Sequence, residues 1–103
     1  MRTVVLFSFV YLSAFAKDKP PVETGAVSRV EYVRVELGWR VVLYTVHGEG
    51  VEFEAHQYPR TAFSDYPKVV ANVGDTVRFQ MFKNVVVIQD KRMLLVKSTR
   101  RPK

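Results

Sequence analysis

Valine fills 20 of the 103 positions, against six leucines and a single isoleucine, Ile88. A β-branched side chain loses χ1 freedom against the preceding turn of a helix but packs well on a pleated surface, so this one bias steers the chain toward strands. A helical bundle of the same size would draw on Leu, Ala, Glu and Lys instead. After residue 16 the apolar residues show no 3.6-residue period, whereas short alternating runs separated by Gly, Pro and Asn recur to the end.

The first sixteen residues obey a different logic. Met1-Arg2-Thr3 supplies one positive charge, Val4 to Ala16 carries none, and Ala14-Phe15-Ala16 has the small-x-small pattern of a signal-peptidase site. Lys17-Asp18-Lys19-Pro20-Pro21 then turns abruptly polar. Residues 1–16 are therefore expected to be a secretory signal peptide cut after Ala16, and no transmembrane span is expected because a spanning helix needs about 20 apolar residues. Val4 to Val10 would also serve as a buried strand, but a strand accounts for neither the small residues at 14 and 16 nor the charged Pro-Pro break.

Residues 17–25 read as an extended lead-in, 26–97 as a single β domain and 98–103 as a basic tail. From Val27 to Leu37 the alternation slips by one residue, as at a β-bulge, and Gly38 makes a corner. Arg40 to His47 is apolar on both faces, and His47-Gly48-Glu49-Gly50 is a tight turn. Val51 to His56 alternates strictly, sending Val51, Phe53 and Ala55 inward and Glu52, Glu54 and His56 outward. Gln57 to Lys68, with Pro59 and Pro67, is irregular. Further strands are expected at Val69–Val73, Thr76–Phe82 with Val77, Phe79 and Met81 inside, Val85–Gln89 and Met93–Lys97. Turns are expected at Gly74-Asp75, at Lys83-Asn84 with a left-handed Asn, and at Asp90-Lys91-Arg92. Six or seven short strands bent by bulges and glycines predict an all-β chain forming a small barrel, OB-like or SH3-like.

The zero cysteine count removes disulfide scaffolds, Cys-ligated zinc and thiol catalysis. Glu54 and His56, with His47 at the neighbouring turn, come nearest to a metal-ligand set, but neither histidine stands in an H-x-H or H-x-x-x-H spacing, so no metal or other cofactor is expected. Ser64, Asp65 and His56 contain the residue types of a nucleophilic triad without the Gly-x-Ser-x-Gly elbow that would present the serine. No enzyme activity is expected.

Binding chemistry has two candidate seats. Tyr58, Arg60 and Tyr66 in the long loop, with Trp39 at the corner, would form a stacking and charged surface if they faced outward, while Phe63 and Trp39 are expected to plug the barrel end. Charge is the second seat: Lys17 to Val77 holds seven basic and nine acidic residues, a net of −2, whereas Arg78 to Lys103 holds eight basic and one acidic, a net of +7. Lys97, Arg100, Arg101 and Lys103 would give the tail its affinity for an anionic partner. The function expected is that of an exported, non-enzymatic β-barrel binding or accessory module of a bacterial envelope, periplasmic or secreted. Its partner would be an anionic envelope component or a protein. The alternative is an intracellular OB- or SH3-like nucleic-acid-binding protein with a basic C-terminal arm.

Overall fold

A computed structural model describes residues 19–100. The expected signal peptide, Arg101 and Lys103 lie outside the described residues. Among those described, no helix is long and apolar enough to cross a membrane. Six strands, β1 (Glu23–Arg34), β2 (Arg40–Gly48), β3 (Val51–Gln57), β4 (Thr76–Met81), β5 (Val85–Ile88) and β6 (Lys91–Arg100), form a closed barrel in the order β1-β2-β3-β6-β5-β4. Every pairing is antiparallel. Two three-stranded meanders thus meet along β3–β6 and again along β4–β1, which leaves the ring closed.

Closure depends on where β1 bends. Gly25 and Ala26 pair with β2 and β4 together, a register shift follows between Val27 and Arg29, and from Arg29 to Arg34 the strand continues as a ribbon with β2. Gly25 lies opposite Gly48, and a Cβ at Gly25 would stand 2.8 Å from the His47 carbonyl oxygen. The two backbones approach more closely than any side chain permits, and that approach lets β1 turn from one neighbour to the other. A second shift in β6, between the Ala55–Leu95 and Glu54–Lys97 pairs, sets Val96 aside as the bulged residue and adds bend on the far seam.

The interior follows the alternation in the sequence. Val51, Phe53, Ala55, Val77 and Phe79 are buried and Met81 is half-buried. Phe53 and Phe79 meet edge to face across the barrel at 4.8 Å between ring centroids. Along β2, Val42, Tyr44 and Val46 enter the core while Val41 and Leu43 are buried on the outer side, so both faces are covered as their apolar character requires.

Several elements differ from expectation, each for a local reason. β1 begins at Glu23, so part of the lead-in is strand, because Glu23 to Ala26 supply the ladder that closes against β4. The bulge sits at Ser28 rather than farther along, and Leu37 lies in a 3-10 turn (Glu36–Gly38), outside the core. Val69–Val73 is not a strand: its backbone crosses the barrel end, where Ala71 is buried and Val69 and Val70 pack on the core. Asn84 is not left-handed. The β5–β6 turn is instead made by Gln89 and Asp90, at φ 50° and 68°, so Lys91 and Arg92 belong to β6.

The basic tail needs the largest correction. Ser98, Thr99 and Arg100 continue β6 opposite Phe53, Glu52 and Val51, and the Arg100 guanidinium holds Glu23 through two hydrogen bonds of 3.3 and 3.0 Å. Lys97 stands opposite Glu54. These residues staple the end of the sheet and do not form a free arm.

Candidate functional site

Three connections converge at one end of the barrel: residues 35–39 between β1 and β2, residues 58–75 between β3 and β4, and the Gln89-Asp90 turn. The long one is tied down from inside. The buried Tyr44 hydroxyl donates to Gln57 Oε1 at 2.6 Å and accepts from the Val70 N–H at 3.0 Å, and Gln57 Nε2 donates to the Lys68 carbonyl at 3.0 Å. Burial pushes the Tyr44 hydroxyl above the ordinary tyrosine range, with the Val70 N–H opposing, so it remains a proton donor at neutral pH. Asn72 and Asp75 close the far end of the segment, with the Asn72 N–H donating to Asp75 Oδ2 at 2.9 Å.

Outside this network the aromatic candidates pack on one another in two pairs. Trp39 meets Tyr58 edge to face at 5.6 Å, and Tyr32 meets Tyr66 at 5.0 Å. Arg40 donates to Asp65 at 3.1 Å, linking the β1–β2 corner to the long loop. Between the loop and the start of β6 opens a cleft of about 750 Å³, lined by Tyr58, Arg60, Tyr66, Lys68, Lys91 and Arg92 among others. Asp65 is the cleft's only aspartate or glutamate, and Arg40 engages it. The lining can therefore offer ring faces and cations to one ligand.

The expected loop site is thus partly assembled. Tyr58, Arg60 and Tyr66 share the cleft, and Trp39 buttresses it from behind Tyr58. Phe63 was expected to plug the barrel; it is 100% exposed, and the half-buried Val69 and Val70 fill that position. Lys68, Lys91 and Arg92 enter the site unforeseen. The charge of Lys91 and Arg92 is visible in the basic segment from Arg78 onward, but a turn expected at 90–92 hides their direction, which the left-handed pair at 89–90 sets; Lys68 stands in the acidic part of the chain, where no charge signal marks it.

The other candidates stay apart. His47 Nδ1 lies 3.0 Å from Glu52, whereas His56 is opposite Leu43, four residues before His47 on β2. Among the described residues no group of three His, Asp or Glu side chains could hold a metal ion. Burial beside Tyr58 pushes His56 below the ordinary histidine range, with Glu54 opposing. The Ser64 hydroxyl pairs with Thr61 at 2.6 Å, and the exposed Asp65 accepts from Arg40 at 3.1 Å.

No protein-family model, curated protein or solved structure matches this chain.

Proposed function

We propose that the protein is a non-enzymatic binding module, exported to the periplasm or beyond a bacterial cell, whose loop-end cleft holds an anionic envelope component bearing ring groups. The observation that carries this reading is the meeting of Tyr58 and Tyr66 with Arg60, Lys68, Lys91 and Arg92 around one cleft with a single carboxylate, the exposed Asp65, which pairs with Arg40. The C–H face of a sugar ring, or the face of a flat aromatic ring, packs on a tyrosine while cations take up acidic groups. Export rests on the zones of residues 1–16.

Trp39 is the only tryptophan and packs on Tyr58, so its fluorescence reports on the cleft. Titrating the protein with polygalacturonate or dextran sulfate at two salt concentrations should give an affinity that falls as salt rises. Arg92→Ala should weaken binding and flatten that slope, while Tyr58→Ala should weaken binding with the slope unchanged. Unaltered binding in both variants would remove the cleft from the reading. Tighter binding to a single-stranded oligonucleotide than to either polysaccharide would favour the nucleic-acid alternative. A native protein whose intact mass retains Met1 would argue against export.

A further inference from the structure

Leu37 and Phe63 are 97% and 100% exposed, more than any other large apolar side chain described. Both occupy tips of connections at the cleft end of the barrel. Each tip is held in shape. Gly38 N–H donates to the Val35 carbonyl at 3.0 Å and Val35 N–H to the Trp39 carbonyl at 3.0 Å, a turn that holds Leu37 at φ 63°. That left-handed backbone is unfavourable for a leucine, and the side chain it presents meets only water. Phe63 stands on a turn closed by the Ser64 N–H to the Thr61 carbonyl at 3.2 Å and by the Thr61–Ser64 hydroxyl pair. The Arg40–Asp65 bond joins the two connections.

Behind the tips lie Trp39 and the ring pairs of Tyr32, Tyr58 and Tyr66, which include every exposed tyrosine described. The cleft cations stand beside them. At the opposite end the β2–β3 turn is Glu49-Gly50, and the exposed Phe82 has neither tryptophan nor tyrosine in its hairpin. Apolar tips, a collar of Trp and Tyr and a set of Lys and Arg match the layers met on entering a membrane: acyl boundary, headgroup zone and anionic surface.

We infer that this end of the barrel docks on a bilayer containing anionic lipids, with Leu37 and Phe63 inserted as anchors. For its charge component the inference rests on the cleft being an anion site. A folded protein partner would have to offer a separate pocket to each tip, whereas a fluid bilayer accepts both without one. Leu37 and Phe63 then do what neither does for the barrel itself: they contribute apolar burial to binding.

Vesicle co-sedimentation and Trp39 fluorescence test it, using phosphatidylcholine alone and phosphatidylcholine mixed with phosphatidylglycerol. The protein should partition onto the mixed vesicles, with a blue shift of Trp39 and quenching by brominated acyl chains. The Leu37→Ser/Phe63→Ser variant should lose about a hundredfold or more in partitioning, since each tip contributes roughly one buried apolar side chain. Its thermal midpoint and its affinity for dextran sulfate should stay as they were. If the protein binds dextran sulfate but not vesicles, or if the variant partitions like the parent, the docking inference is wrong and the cleft reading stands. Vesicle binding that is lost in the variant but equal on the two lipid compositions, in a protein that never binds dextran sulfate, supports anchoring by the two tips and removes both the cleft reading and the charge component of docking.

Discussion

Replacing Tyr44 by Phe deletes one oxygen from the barrel interior and leaves the ring in place. The hydroxyl it removes is the hinge of the network that ties the long loop across the barrel end, since Gln57 Oε1 and the Val70 N–H both depend on it. Gln57 is 8% exposed, so water has little access to its stranded acceptor, and Val70 is half-buried. One hydrogen bond contributes about 1 kcal/mol net, and a buried group left unpaired costs about 1–3 kcal/mol, which puts the expected loss near 2–3 kcal/mol. For a domain of this size that is a drop of roughly 10–20 °C in the melting midpoint. Urea titration should show a lower midpoint with an unchanged slope, because the surface exposed on unfolding is the same. Amide exchange at Val70 should accelerate beyond what the global loss explains, because the loop is freed before the barrel opens. Gln57→Leu should cost a similar amount, and the double variant should cost clearly less than the two single losses together, as for partners in one network. A loss below about 0.5 kcal/mol with Val70 protection intact would refute the tether.

Deleting residues 98–103 removes three β6 positions opposite β3 and the Arg100–Glu23 bond, so a stability loss of about 2–3 kcal/mol by urea titration is expected; no measurable change would restore the free-tail reading. Gly25→Ala forces a Cβ against the His47 carbonyl and should destabilise by about 2 kcal/mol or more, whereas Gly50→Asn, at a positive φ with open space, should change thermal stability by less than about 1 kcal/mol. His56 is held below the ordinary histidine value mainly by burial, so the unfolded chain takes up the proton first as pH falls. The stability present above about pH 6.5 is therefore lost as pH drops through the lower folded value, and His56→Gln should flatten the melting midpoint between about pH 7.5 and 5; parallel curves for the two proteins would overturn this.

The barrel was legible because its decisive information is local. Alternation across Val51–Ala55 and Thr76–Met81 specifies which side chains enter a core, and a one-residue error would turn Phe53 and Phe79 to solvent. Apolar residues on both faces of β2 announced a strand with cover on its outer side. Less legible were features set by closure. Gly25 looks like a linker residue until β4 comes alongside, and Ser98–Arg100 look like a polar tail until β3 supplies partners for their backbone. Polar strand residues satisfied by a neighbour remote in sequence leave no periodic apolar signal.

For the site, the residue types were readable and their directions were not. Tyr58, Arg60 and Tyr66 were visible as an aromatic and basic loop, but two buried groups decide which way that loop faces. Tyr44 and Gln57 lie 13 residues apart on different strands, and their meeting requires the β2–β3 register. With Lys68 and Val70 drawn in by that pair, Val69, Val70 and Ala71 fill the barrel end, and Phe63 is not needed there. A plug made of small aliphatic side chains leaves a loop's larger rings free. The tether that holds the long loop across the barrel end is therefore also what leaves Phe63 in solvent and opens Tyr58 and Tyr66 onto the cleft, so Tyr44→Phe should weaken polyanion and vesicle binding together.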